Sequence, residues 1–408
     1  MKNKNVIFLC LDALCKSHIG AYGYERNITS NLDRFASQNI LFKNAFTAGT
    51  WTPPAISSIL TGKYPSVPKK MTESEYREYH INIVRNSPKD VYIGLPVIKY
   101  MRSCYTNIIS ELKRNHFNTY AITNSPFLSY FAKDFADHLD NIDSQIPSEL
   151  AESRALINNS TKFCFEALSN KKLKEPFFLY VHATQPHVPY KPEEVFIKYG
   201  SHQNLREREC YLIQNWNNND SHIIRLRNET GALLKDDYDD NIYAADFYLG
   251  KILDYLNNYY GDSMIFFFSD HGEHFYTHGT WYFQHPPAIY GEEMLDLSLE
   301  IPLIVKMPAW KNEIITKPVK LIDIFPTVMI ELGLDTPQGL DGCHVFKDDG
   351  IIKAVCPSLG RVAEKHNLDE GWKIYEVPES PDVQEYGISL TEPEKKLLID
   401  RLKQLGYL

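Results

Sequence analysis

Apolar residues in this chain gather in short unbroken runs rather than alternating with polar ones: Asn5 to Leu11, Tyr120 to Thr123, Phe177 to His182, Met264 to Ser269 and Ile301 to Lys306. A strand with one wet face alternates, whereas a continuous run of about four to eight residues suits a strand covered on both faces. Helix-like stretches separate the runs. The pattern therefore predicts an α/β architecture, a mostly parallel central sheet between two helical layers. The runs also end alike. Asp12 follows the first, Asn124 the second, His182 to His187 the third, and Asp270 with His271 the fourth. In an open α/β sheet the strand carboxyl ends line the ligand crevice, so polar residues far apart in sequence would converge there. Each one taken singly reads as well as a helix cap or turn residue. Their recurrence is what points to a site.

Two stretches break the pattern. Residues near 66–100 and 193–237 are polar, rich in Tyr, Asn and Lys, lack clean core periodicity, and read as excursions from the scaffold. Between Lys63 and Arg114 ten basic residues, Lys69, Lys70 and Arg77 among them, stand against five acidic ones. That segment either meets the anionic part of a substrate or is a solvated face. After Leu334 the chain reads as a small α+β appendix. Its last helix is expected from Thr391 through Leu397, Leu398, Leu402 and Leu405, with Gly406 as the stop. This gives a main body over 1–335, carrying both excursions, and a small C-terminal subdomain over 336–408.

Composition narrows the classes. The 408 residues leave room for two domains or one large body, and 43% hydrophobic residues with 13% aromatics exclude a disordered chain. A net charge of -9 has the wrong overall sign for nucleic acid or anionic lipid, so no nucleic-acid partner is expected. Seven scattered cysteines without Cys-x-x-Cys spacing argue against a disulfide framework or a structural zinc site. The apolar start is broken at Asp12, too short for an export signal, and no run approaches the roughly 18 residues of a membrane span. A cytoplasmic protein with no membrane span is the expectation. Oligomeric state stays open.

Candidate chemistry sits at the run ends. Asp270-His271-Gly272-Glu273 offers a carboxylate and an imidazole together, a pair suited to zinc or manganese. Asp12 would add a third ligand if its strand lies alongside. In Thr50-Trp51-Thr52-Pro53-Pro54, Thr52 precedes a helix that opens on proline. Its hydroxyl is then either a helix cap or, beside a metal or base, a nucleophile near backbone N–H groups that favour anions.

Taken in order, Asp12 in Leu-Asp-Ala-Leu, Gly20-Ala21-Tyr22-Gly23, Thr29-Ser30-Asn31-Leu32-Asp33, Thr52 running into Leu60-Thr61-Gly62-Lys63-Tyr64-Pro65, Pro186-His187-Val188-Pro189-Tyr190 and Ser269-Asp270-His271-Gly272-Glu273 resemble the sulfatase family of the alkaline phosphatase superfamily. The resemblance implies an alkaline-phosphatase-like three-layer α/β/α sandwich. It also implies one divalent metal ion, Mn, Zn or Ca, held by Asp12, Thr52, Asp270 and His271, since Ala13 replaces the second acidic residue of the family's Asp-Asp pair. Catalytic roles fall to Thr52, His187 and His285, with Asn124, His187 and His285 facing substrate. His182 and His278 read as structural.

Sulfatases carry Cys (or Ser)-x-Pro-x-Arg, whose first residue becomes formylglycine. Here that position is Thr52 and the Arg position is Ile56. Threonine cannot form formylglycine, so the resemblance points toward a hydrolase or transferase acting on a small anionic phosphoester through a phosphothreonine intermediate. A sulfatase working without formylglycine is the alternative. A catalytically inactive anion-binding protein is a third reading.

Overall fold

A computed structural model describes residues 5–66, 105–132, 135–141, 159–187, 190–202, 220–274, 292–308, 310–347, 350–356 and 361–376, with isolated positions elsewhere. Among the described residues nine strands make the central sheet: β1 (Val6–Asp12), β2 (Ile40–Phe46), β3 (Asn118–Thr123), β4 (His138–Asn141), β5 (Phe177–Pro186), β6 (Met264–Phe268), β7 (Glu300–Lys306), β8 (Ile314–Ile315) and β9 (Val319–Lys320). Their order is β4-β3-β5-β1-β6-β7-β2-β8, with β9 also paired to β2. From β4 to β6 neighbouring strands are parallel, and β7 runs antiparallel to both β6 and β2. All five apolar runs are strands of this sheet.

The runs are unbroken because successive side chains enter different cores. Val6, Phe8 and Cys10 of β1 face a core shared with α2 (Thr52–Thr61), α3 (Ile108–Arg114), α4 (Pro126–Ala132) and α8 (Ile324–Leu332). Ile7, Leu9 and Leu11 face the other, with α1 (Ser30–Gln38), α5 (Ser160–Ser169) and α6 (Ser221–Tyr260). The expected three-layer sandwich with a mostly parallel sheet is what the chain forms. Phe8 marks its middle, in edge-to-face contact with Phe178, Tyr180, Phe266 and Phe268 at centroid distances of 5.1 to 5.8 Å.

The 40 residues of α6 make a rod of roughly 60 Å. It starts inside the polar 193–237 stretch, where Asp220 accepts the His222 N–H at 2.7 Å as its cap. Helical periodicity is hard to read there because the middle turns bury polar side chains, Asp237 to Asn241. These residues grip surrounding loops, as set out below. Helix α7 (Glu292–Leu299) leads into β7.

A separate antiparallel sheet, β10 (Ile352–Cys356), β11 (Arg361–Lys365) and β12 (Lys373–Glu376), packs through Ile352, Ala354, Ala363 and Trp372 onto Phe46 and Leu299. Val355 donates its N–H to the Ala48 carbonyl at 2.9 Å, tying this sheet to the turn before α2. Most of the 66–100 stretch and the expected helix from Thr391 to Leu405 lie outside the described residues. No helix among the described residues is long and apolar enough to cross a membrane.

Candidate active site

Strands β5, β1 and β6 are neighbours, so their carboxyl ends deliver side chains to one place. Asp12 ends β1. There the pairing with β5 slips from Leu11–Ala183 to Asp12–Pro186, leaving Thr184 and Gln185 as extra residues in β5. Both bind other elements instead of the ladder. Thr184 pairs with Asn124 at the end of β3, and the Gln185 amide donates to Asn241 of α6 at 3.0 Å. Beyond β6, Ser269 Oγ accepts the Leu14 N–H at 2.8 Å and lies 2.8 Å from the Leu11 carbonyl, which fixes the β1 and β6 exits to each other. Gly272 follows because nothing larger fits, since a Cβ there would stand 1.9 Å from the Leu297 carbonyl oxygen of α7.

Asp12, Asp270 and His271 are buried, and one donor atom from each lies within 4.8 Å of the others. Asp270 Oδ1 accepts the N–H groups of Ala13 (3.2 Å) and His271 (3.0 Å), while its Oδ2 is buried with no hydrogen-bond partner among the described residues. His271 donates from Nδ1 to the Gly272 carbonyl at 2.8 Å, which turns Nε2 toward Asp12 Oδ1 (3.3 Å) and Asp270 Oδ2 (3.6 Å). A buried carboxylate oxygen lacking a partner costs free energy unless an ion meets it. Two carboxylates and a histidine nitrogen so placed fit a divalent cation such as zinc or manganese.

The electrostatics agree. Burial alone would push Asp12 up, but hydrogen bonds from His182 and His271 and the charge of His187 hold it well below the usual carboxylate range. Burial and the charge of Asp12 push Asp270 the other way. Burial lowers His271, yet Asp270 and Asp12 outweigh it and carry the imidazole to about 9. Two adjacent acids thus demand positive charge, which His271 or a cation can supply.

Thr52 is the first residue of α2 and Trp51 its cap, so the cap alternative for the Thr52 hydroxyl does not apply. Instead Oγ1 donates to Asp12 Oδ1 at 3.3 Å and lies 3.2 Å from His271 Nε2. Prolines at 53 and 54 have no N–H, and Ala55 bonds the Trp51 carbonyl, so this helix start offers an anion one N–H, that of Thr52. The expected cradle of backbone donors is absent at this end, and charge stabilisation falls to side chains and the cation.

His187 is buried with its ring 6.2 Å from that of His271, edge to face. Asn124 is fully buried, its amide donating to Thr184 Oγ1 at 2.6 Å and accepting the Thr184 N–H at 3.0 Å. His285 and His278 lie outside the described residues. Three further groups bear on the site. His182, read from the sequence as structural, places Nε2 3.4 Å from Asp12 Oδ2. The signal for it is strand adjacency, since His182 sits opposite Cys10, two residues before Asp12. Tyr238 of α6 accepts the Cys15 N–H at 2.8 Å and donates to the Ala13 carbonyl at 2.6 Å, bracing the loop after Asp12. Ala13 needs the brace, because its φ of 59° is left-handed and strained for a residue with a Cβ. Glu273, buried behind His271, accepts the Tyr190 hydroxyl at 3.0 Å, and burial pushes it up to about 8.

The family model described as Sulfatase matches residues 4–334. An uncharacterised sulfatase of Escherichia coli K12 is 22% identical over 371 residues, covering 85% of this chain and 71% of that protein. Iduronate 2-sulfatase of Mus musculus is 22% identical over 354 residues, 74% of this chain and 59% of its own length. Among solved structures, an alkaline phosphatase superfamily protein from Vibrio parahaemolyticus aligns with a TM-score of 0.56 and 16% identity, covering 100% of this chain and 86% of that one. The phosphonate monoester hydrolase of Agrobacterium radiobacter aligns with a TM-score of 0.57 and 14% identity, over 91% and 89%. With the family model spanning the whole sheet and every residue of the Asp12–Thr52–Asp270–His271 cluster, the chain belongs to the sulfatase family of hydrolases.

Proposed function

We propose that the chain cleaves or transfers a small anionic phosphoester with Thr52 as nucleophile. The observation that carries this is the Thr52 hydroxyl, within hydrogen-bonding distance of Asp12 and His271 at the position where formylglycine-forming sulfatases carry Cys or Ser. Asp12, Asp270 and His271, with Thr52 beside them, would hold one divalent cation. When bound, it supplies Lewis-acid polarisation of the non-bridging oxygens and lowers the pKa of a neighbouring hydroxyl.

The chain's own part follows from the distances. Thr52 Oγ1 forms the new bond to phosphorus, its proton passing to Asp12 Oδ1 along the 3.3 Å hydrogen bond. The bond from phosphorus to the leaving oxygen breaks as that oxygen takes a proton from His187, whose ring lies 6.2 Å from that of His271. Burial of all these groups excludes bulk water and raises the worth of each charge. The phosphoryl group is then released from Thr52 to water in a hydrolase or to an alcohol in a transferase.

A sulfate ester is the second reading, favoured by the sulfatase names of the curated relatives. Side-by-side rates on an aryl phosphate, an aryl phosphodiester and an aryl sulfate separate the two. Thr52→Ala should cut turnover of the best substrate by about a thousandfold or more while leaving circular dichroism unchanged. Full turnover in that variant, or wild-type turnover confined to the sulfate, would refute the phosphoester reading.

A further inference from the structure

We infer that His182 is a positioning residue that fixes Asp12, holding one carboxylate oxygen so that the other stays aimed at Thr52 and His271. This rests on the reading of Asp12 as a cation ligand. The two oxygens of Asp12 are divided cleanly. Oδ1 faces Thr52 Oγ1 and His271 Nε2, both at 3.3 Å, and Oδ2 faces His182 Nε2 at 3.4 Å. A carboxylate held at one oxygen cannot swing to present the other, so its free lone pairs keep one direction.

His182 is built to hold still. It lies in the middle layer of the sheet, fully buried, paired in register with Cys10 on one side and Thr123 on the other. Its carbonyl accepts the Thr123 hydroxyl at 2.9 Å. Its ring lies beside the buried Tyr180, whose hydroxyl is 3.5 Å from Nδ1 and whose own ring packs against Phe8 and Phe268. With Nδ1 facing a hydroxyl, the remaining nitrogen is the donor toward Asp12. An imidazole in so apolar a wall is unfavourable unless both nitrogens are engaged, and a residue serving only to fill space there would be aliphatic. His182 also stands outside the set of donor atoms that lie within 4.8 Å of one another, so it supports a ligand rather than being one.

The test compares two amides of different reach in the full-length chain. Gln places its NH₂ near the position of imidazole Nε2, whereas Asn reaches only to Nδ1. Mn²⁺ or Zn²⁺ alone is titrated into wild type, His182→Gln and His182→Asn by calorimetry, with near-ultraviolet circular dichroism to check the core. His182→Gln should bind within about threefold of wild type and His182→Asn about 10- to 100-fold more weakly, with superimposable spectra. Equal affinities in the two variants, whether both intact or both lost, overturn the inference, as does a wild type that takes up neither ion. Thr52→Ala decides the phosphoester reading separately, since that reading is tested by turnover and this one by the affinity ratio of the two His182 variants.

Discussion

Asp270→Asn should make the chain more stable without a cation and less responsive to one. In the wild type, Asp270 Oδ1 accepts two backbone N–H groups and Oδ2 has no hydrogen-bond partner among the described residues. Asparagine can keep both backbone bonds through its own oxygen while removing the charge. Donor atoms of Asp12 and Asp270 lie within 4.8 Å. At an effective dielectric near 20, two like charges about 5 Å apart repel by roughly 3 kcal/mol. His271, with Nε2 3.6 Å from Oδ2, offsets much of this, but burial and Asp12 still win, since Asp270 is pushed up overall. A net gain on the order of 1 kcal/mol remains for the variant. With about 2.1 cal/mol/K of unfolding entropy per residue, a chain of this length moves by about 1 °C per kcal/mol. A cation at about 100 times its Kd stabilises wild type by roughly 2.7 kcal/mol, hence about 3 °C. Scanning calorimetry of chelator-treated protein, with and without added Mn²⁺ or Zn²⁺, reads both arms. The variant should melt about 1 °C above wild type in chelator and gain little from the ion. A variant that melts lower in chelator, or that gains as much from the ion as wild type, would show that Asp270 is a structural anchor and not a ligand.

Two other expectations concern the long helix. Burial raises Asp246 to about 6 although it accepts the N–H groups of Asn31 and Leu32 at the start of α1. A raised carboxyl contributes its stability below the unfolded pKa near 3.9 and loses it as pH climbs through about 6, so the difference between wild type and Asp246→Asn should fall by roughly 2 kcal/mol from pH 4 to pH 7. Urea unfolding at several pH values checks this, and parallel curves would contradict it. Tyr238→Phe strands the Cys15 N–H and the Ala13 carbonyl in a buried loop, at a cost of about 1–3 kcal/mol and with reduced turnover. Unchanged unfolding and turnover would show that the loop after Asp12 does not depend on this brace.

The cluster of Asp12, Asp270 and His271 was legible because strand exits announce themselves: an apolar run stopping at Asp12 and another at Asp270-His271 already predict carboxyl ends at a crevice. His182 was not, because a histidine inside an apolar run is indistinguishable from a core residue until the neighbouring strand is known. The Asp237 to Asn241 turns of α6 were obscured for a related reason. They bury polar groups to hold the 198–202 loop, Ala13, Cys15 and Pro186, so the apolar periodicity that reveals a helix is interrupted where the helix matters most.

By itself the sequence determined the layer architecture, the parallel sheet and the meeting of Asp12, Asp270 and His271 at its carboxyl end, because burial on both faces of a strand leaves a direct mark on composition. Which oxygen of Asp12 faces Thr52, which nitrogen of His271 is turned inward, and that the α2 start offers one backbone donor were decided only in three dimensions. Those properties depend on register between strands 170 or more residues apart in the chain, such as β1 with β5, and on directions of individual lone pairs. Local spacing along the chain carries neither.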